Sequence, residues 1–258
     1  MTDTRCHIDF TDKRVLVTGG TRGIGRAAVE AFIGAGARVA VNGASDASVA
    51  RALGELAAGE SVIAAPGDVA VVADCARIVE AAVEGLGGLD VLVNSAGVFK
   101  QAPIAESDEA LWDSTIDINV KGTYFCSRAA RPALEAAQGA IVNLASQAGL
   151  EGYADITVYC ASKGAVVNLT RAMALELAPA VRVNCLCPGI IDTDMARVGF
   201  AAEGQATTDL VDEADGYPLK RIGTATEVAT AILYLASPDA GFITGAALAI
   251  DGGGTAGH

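Results

Sequence analysis

The sequence predicts a doubly wound α/β fold, with seven parallel strands in one sheet and helices on both faces. Two observations carry that expectation. Short aliphatic and β-branched runs alternate with longer helical patterns from residue 13 to residue 250 without a break. The first run ends in a glycine-rich turn that leads directly into a helix. Near-continuous apolar strands separated by helices indicate a parallel sheet buried on both faces. Right-handed crossovers then place ligands beyond the carboxyl ends of the strands.

The first strand, 13–18, reads Lys13-Arg14-Val15-Leu16-Val17-Thr18, and the turn Gly19-Gly20-Thr21-Arg22-Gly23-Ile24-Gly25 follows it. Glycines there let the backbone approach a pyrophosphate, and the next helix offers its free N-terminal N–H groups. The spacing is Gly-x-x-x-Gly-x-Gly, not the commoner Gly-x-Gly-x-x-Gly. The helix over 23–36 keeps Ala27, Ala28, Phe32 and Ala35 at apolar spacing. Further strands are expected at 38–42, 61–66, 89–93, 139–145, 181–187 and 246–250. Helices are expected at 46–57, 71–86, 107–118 running on into 119–136, 157–178 and 224–236. No linker, repeat or second domain interrupts the pattern, so residues 1–258 read as one domain. The least regular stretch is 192–220, where Gly199, Gly204 and Gly216 lie among charged residues.

Composition narrows the function classes. A hydrophobic content of 52% against 19% charged residues supplies a core and argues against disorder. No run of about 18 apolar residues is present, so no transmembrane helix is expected. The start, Met1 to Phe10, lacks an apolar signal core, which points to the cytoplasm. A net charge of −13 without a basic stripe disfavours nucleic acid as a partner. Cys6, Cys75, Cys126, Cys160, Cys185 and Cys187 read as free thiols. Cys185 and Cys187 share a strand face, and no second pair of zinc spacing accompanies them. His7 and His258 stand near the termini, outside any motif, so neither metal nor histidine-dependent hydrolysis is expected.

The chemistry-bearing constellation is Ser146 followed by Tyr159 and, four residues on, Lys163. A phenol's unperturbed pKa is about 10, too high for easy proton exchange at neutral pH. A lysine four positions along a helix lies on the same face, where its ammonium favours phenolate. A serine hydroxyl from a separate segment can hold a carbonyl oxygen beside the phenol.

Together, Thr18 to Gly25, Asp68, Asn94-Ser95-Ala96-Gly97, Asn119, Ser146, Tyr159, Lys163 and Pro188-Gly189 resemble the short-chain dehydrogenase/reductase family, in its compact branch of 3-oxoacyl-thioester reductases and related ketone and alcohol oxidoreductases. The resemblance spans residues 13 to about 251 and implies a Rossmann-type sheet. Ser95 departs from it, standing where the family usually has a second asparagine, and the turn is expected to survive.

The resemblance implies hydride transfer between a nicotinamide and a carbonyl or secondary alcohol, with Tyr159 as acid–base group. Lys163 then lowers the tyrosine pKa and holds the nicotinamide ribose, Ser146 polarises the substrate oxygen, and Asn119 anchors a water relay. It further implies cofactor contacts from Gly19, Thr21, Arg22, Gly23, Ile24 and Gly25 in the turn, and from Asp68 and Val69 at the adenine. Asn94, Ala96 and Gly97 line the adenosine side and brace the fourth strand, while Pro188, Gly189, Ile191 and Thr193 close over the nicotinamide. As a lone residue Asp68 also reads as an N-cap for the helix 71–86. NAD-preferring members carry an acid where this chain has Gly43; with Arg22, Asn42 and Ser45 nearby, NADP(H) is favoured over NAD(H).

Candidate substrate-lining residues are Gln147, Ala148, Tyr153, Gly189 and Ile190, beside Ser146 and Tyr159. The 192–220 segment falls where the family has its substrate-covering loop. No basic residue stands between 190 and 196 to clamp a carboxylate. The stretches 134–139 and 177–180 also lack basic residues, which weakens a role on an acidic carrier protein. The partner expected is a small carbonyl or alcohol, and family membership implies a homotetramer or homodimer. An NAD-dependent alcohol or polyol dehydrogenase is the alternative. A non-catalytic nucleotide sensor is a third reading, disfavoured because all four catalytic positions stand.

Overall fold

The computed structural model describes residues 8–200, 208, 210 and 212–257. The expectations that fall on Cys6, His7, Gly204 and His258 lie outside the described residues. Seven strands form one sheet: β1 (Arg14–Thr18), β2 (Arg38–Val41), β3 (Val62–Ala64), β4 (Val91–Asn94), β5 (Ala140–Leu144), β6 (Arg182–Pro188) and β9 (Ala247–Ile250). Their order is β3-β2-β1-β4-β5-β6-β9, and every neighbouring pair is parallel. The order reverses direction at β1, beside β4. That switch point opens a crevice at the carboxyl ends of both strands. This is the doubly wound, Rossmann-type arrangement.

Helices cover both faces. On one, α1 (Gly23–Gly34) and α8 (Ala225–Ala236) pack on Val15, Val17, Val39, Val93 and Val142. Leu53 and Leu56 of α2 (Asp46–Leu56) join the same cluster. On the other face α3 (Val72–Leu86), α5 (Thr123–Ala137) and α6 (Thr157–Leu177) cover Leu16, Ala40, Leu92 and Ile141. Consecutive residues of β1 therefore serve opposite cores, which is why the strand is apolar throughout. Arg182, at the start of β6, donates to the Leu235, Ala236, Ser237 and Ala240 carbonyls, capping the C-terminal end of α8.

Two features were not legible in the sequence. The helical run after residue 107 is α4 (Glu109–Ile116), a π-helical turn (Asp117–Gly122), then α5, so the expected continuity holds with one widened turn. Asn119 sits in that turn, buried. The irregular stretch also holds order: β7 (Ile191–Asp192) pairs with β8 (Gly223–Thr224), and α7 (Asp194–Gly199) follows Thr193, whose hydroxyl caps it. Both strands are two residues long, too short to show a period. No described helix is long and apolar enough to cross a membrane.

Candidate active site

A cavity of about 890 Å³ runs along the carboxyl ends of the central strands. Its first wall is the glycine turn. Gly19 has φ +63°, and a Cβ there would stand 2.7 Å from the Ala96 Cα; a Cβ on Gly25 would meet the Gly19 backbone. The turn therefore closes only with glycine at both places. Arg22 precedes α1 without a capping side chain, and no acid occupies the helix's first turn. The N-terminal N–H groups of α1 open onto the cavity beside Gly23, Ile24 and Gly25, which suits an anionic pyrophosphate. The residues present therefore fit a dinucleotide.

Thr21, Arg22, Ser45, Asp68, Val69, Ala96 and Gly97 line this end as expected. Thr18 steadies the opposite edge, its hydroxyl accepting from the Ser95 and Ala96 N–H groups, so the turn survives the serine at 95. Three expectations are corrected. Asn42 lines the cavity but its amide is committed: Oδ1 accepts from Gly19 N–H, and Nδ2 donates to the Ala65 and Gly67 carbonyls. It braces the glycine turn and has no proton to spare for a cofactor. Asn94 does not line the cavity. It is buried, with Nδ2 donating to Ser127 and Asn143, so it keeps only its bracing part. Asp68 does not cap α3; its carboxylate accepts from Ala70 N–H.

Arg51, on α2, was missed. It lines the cavity with Arg22, and among the described residues neither guanidinium has a hydrogen-bond or ion-pair partner. Arg26 by contrast pairs with Glu30 and Glu55. A surface arginine one turn into a helix carries no sequence signal of its own; only the packing of α2 beside the turn brings it near Arg22.

At the other end Ser146, Tyr159 and Lys163 line one wall. Ser146 ends the connection after β5 and accepts from Ala148 N–H, forming the short 3₁₀ turn 147–149. Gly149 lies against α6 at Lys163, where a Cβ would stand 2.6 Å from the Lys163 carbonyl oxygen. That close approach sets the serine beside the helix. Burial pushes the Tyr159 phenol up to about 12, and a hydrogen bond from Ser146 draws it partly back. Burial also pushes Lys163 down to about 8. Its Nζ donates to the Leu144 carbonyl at 2.8 Å and lies 5.6 Å from the centre of the Tyr159 ring. The expected lowering of the tyrosine by the lysine does not appear: desolvation is the largest effect at both groups and favours the neutral form of each.

The Asn119 side chain bridges two segments. Oδ1 accepts from Val98 N–H, and Nδ2 donates to the Val98 carbonyl and to Ser162 Oγ. Ser162 in turn donates to the Tyr159 carbonyl at 2.8 Å. Asn119 thus clamps the helical turn between Tyr159 and Lys163.

Gln147, Ala148, Tyr153, Gly189 and Ile190 all reach this end, with Pro188, Ile191 and Thr193 on the roof. Sequence reasoning missed Phe99, and it reached Phe200 and Tyr217 only as part of the 192–220 segment. Phe99 meets Tyr159 edge-on at 4.9 Å and Phe200 at 5.2 Å, so α7 closes on the wall beside the phenol. The acids Glu151, Asp194 and Glu213 also line this end. Tyr153 donates to Glu151 at 3.3 Å, and burial lifts its phenol to about 12. The described cysteines are free, Cys75, Cys126, Cys185 and Cys187 buried and Cys160 half-buried. Among the described residues no group of acids, histidines and cysteines could hold a metal.

Comparison with known proteins agrees with this geometry. Residues 19–255 match the family described as Enoyl-(Acyl carrier protein) reductase. The chain is 39% identical over 247 residues to 2-(S)-hydroxypropyl-CoM dehydrogenase 3 of Xanthobacter autotrophicus, covering 94% of this chain and 96% of that protein. It is 36% identical to the 3-oxoacyl-[acyl-carrier-protein] reductase of Chlamydia muridarum, over 95% of this chain and 98% of that one. A solved structure titled short-chain dehydrogenase/reductase, glucose/ribitol dehydrogenase, from Brucella melitensis superposes with a TM-score of 0.85 at 36% identity, over 95% of this chain and 98% of that chain. With its parallel sheet, glycine turn and full-length matches, the chain belongs to the short-chain dehydrogenase/reductase family, enzymes that use NAD(P) to oxidise or reduce at CH–OH groups.

Proposed function

We propose that the protein is an NADP(H)-preferring oxidoreductase that interconverts a ketone or 3-oxoacyl carbonyl and a secondary alcohol, with Tyr159 as its acid–base group. The observation that carries this reading is the meeting of Ser146, Tyr159 and Lys163 in one cavity with the glycine turn and two unpaired arginines. When bound, a reduced nicotinamide supplies a hydride, one hydrogen and two electrons, to the carbonyl carbon.

The chain's own residues do the rest. Ser146 holds the carbonyl oxygen at the phenol. Tyr159, a neutral phenol at pH 7, gives its proton to that oxygen as negative charge develops, and regains one from solvent. In oxidation the phenolate takes the alcohol proton instead. Lys163 holds the nicotinamide ribose, and Asn119 keeps Tyr159 and Lys163 in register through Ser162. Pro188, Gly189, Ile191 and Thr193 cover the nicotinamide.

The preference for NADP(H) rests on charge and space. Gly43 stands where an acid would hold both ribose hydroxyls, and a Cβ there would lie 2.6 Å from Thr21 Cγ2 and 2.9 Å from Ser48 Oγ, so any side chain at 43 would have to displace those two. Arg22 supplies an unpaired cation for a 2′-phosphate, and Ser45 sits beside it. Calorimetric titration with NADPH and NADH tests this. NADPH should bind more tightly, and Arg22→Ala should weaken NADPH about ten-fold with NADH little changed. Equal losses for both cofactors would remove the preference.

One observation favours a second reading, an NAD-dependent alcohol or polyol dehydrogenase. The substrate end carries Glu151, Asp194 and Glu213 and, among the described residues, only Lys163 as a cation, which suits an uncharged polyol better than a carrier-borne thioester. Tighter binding of NADH in the same titration would select it. We read residues 1–258 as one catalytic domain of a cytoplasmic homotetramer or homodimer. Exposed Tyr234, Phe242 and Leu248 near the β9 edge, and Trp112 and Tyr124 along α4 and α5, support the assembly.

A further inference from the structure

We propose that Gln147, clamped by Tyr217, selects substrates bearing an uncharged hydroxyl on the carbon next to the reacting one, so that the substrate is an α-hydroxy ketone or a vicinal diol. This inference rests on the oxidoreductase reading above. Gln147 directly follows Ser146, so their Cα atoms are about 3.8 Å apart. A substrate oxygen held by Ser146 and Tyr159 therefore brings the neighbouring carbon's substituent within the glutamine's reach.

Tyr217 arrives from a distant segment and is 6% exposed. Its hydroxyl lies 2.7 Å from the Ile190 N–H, which donates to it, 3.0 Å from Gln147 Nε2 and 3.3 Å from Gln147 Oε1. The phenol has one proton. With it the hydroxyl donates to Oε1 while its lone pair accepts from Nε2, so Tyr217 holds both ends of the amide in one ring. The second Nε2 proton has no protein partner among the described residues, while the residue lines the cavity. The side chain also sits in a slot. A Cβ on Gly189 would stand 3.1 Å, and on Gly254 3.2 Å, from Oε1, so these two glycines make the room the amide occupies.

A monofunctional ketone would enclose that N–H without a partner, whereas the oxygen of an adjacent hydroxyl accepts from it. An anionic substituent is disfavoured by Glu151 and Glu213 on the same walls.

The test compares straight-chain 2-ketones of four to eight carbons with their 3-hydroxy derivatives, using each cofactor in excess. Wild type should prefer the hydroxy ketone by roughly 10–100-fold in kcat/KM. Gln147→Leu should bring that ratio close to one, and Tyr217→Phe should lower it part-way, chiefly through KM. The wild-type ratio stands independently of whether either variant folds. A wild-type ratio near one, or a ratio that survives in a folded Gln147→Leu protein, would overturn the proposal while leaving the oxidoreductase reading intact. No turnover of any pair in the presence of bound cofactor would overturn both.

Discussion

The two ends of the cavity are built in opposite ways. The adenosine end is framed by short local motifs, the turn after β1 and the start of α2, joined by Asp68, Val69, Ala96 and Gly97, and its charged side chains include the unpaired Arg22 and Arg51. The substrate end collects Phe99, Gln147, Tyr159, Ile190 and Tyr217 from separate segments, and its acids are Glu151, Asp194 and Glu213. Phosphate recognition uses backbone N–H groups and tight turns, which a short motif encodes. Substrate recognition uses converging side chains, which only the crossovers of the sheet bring together. The polarity is a consequence: an anionic dinucleotide is drawn to one end, and the other is left hostile to a second anion.

Breaking the comparison at the substrate end should give the largest effect. Tyr159→Phe is expected to cut turnover by about 10²–10⁴ while cofactor affinity stays at the wild-type value. Steady-state kinetics with parallel cofactor titration would check it, and near-normal turnover would strip Tyr159 of its role. An equal fall in cofactor affinity would mean the two ends are not separable.

Lys163 sits where the ends meet, and its burial makes a different prediction. Its folded pKa is depressed from 10.5 to about 8, so below pH 8 the native state must keep desolvated a charge that the unfolded chain keeps in water. Between about pH 8 and 10.5 the unfolded state binds more protons, and stability from this group rises with pH. Lys163→Met should therefore abolish activity yet stabilise the protein by about 1–3 kcal/mol at pH 7. The lower figure applies if the Leu144 carbonyl, which loses its donor, goes unpaired. The gain should shrink toward zero by pH 10.5. Denaturant unfolding of both proteins at pH 7 and 10 measures this, and a gain independent of pH would contradict the buried-charge account.

The smallest effect belongs to the adenosine end. Arg51→Ala removes one exposed cation, so NADPH affinity should fall by about three- to ten-fold, with NADH unaffected. Loss of both affinities together would assign Arg51 to the packing of α2.

Much of this was legible because the signals are local. The strand-turn-helix at residues 14–34 appears as written, and the Tyr159–Lys163 spacing places both residues on the cavity wall. What was less legible shares one cause. Asn42, Asn94 and Asn119 are polar residues at motif positions, and a sequence cannot say whether an amide faces a ligand or its own backbone. Here all three spend donors on carbonyls or buried hydroxyls and amides, bracing the walls around the cavity. Tyr217 was legible only as part of the 192–220 segment, not as a residue, since its partners, Gln147 and the Ile190 N–H, are remote or belong to the backbone.

By itself the sequence determined the parallel sheet, the phosphate-binding turn and the spacing that aligns a phenol with an amine. Each of these depends on neighbours within a few residues or on a repeating apolar pattern. Only the tertiary structure decided which way that phenol and amine shift, because desolvation depends on what the whole fold packs around them. It also decided which amides serve the scaffold and which one faces the cavity half-satisfied. Those outcomes are set by atoms that meet across 70 residues of chain, as Gln147 and Tyr217 do, and no local pattern in the sequence records such a meeting.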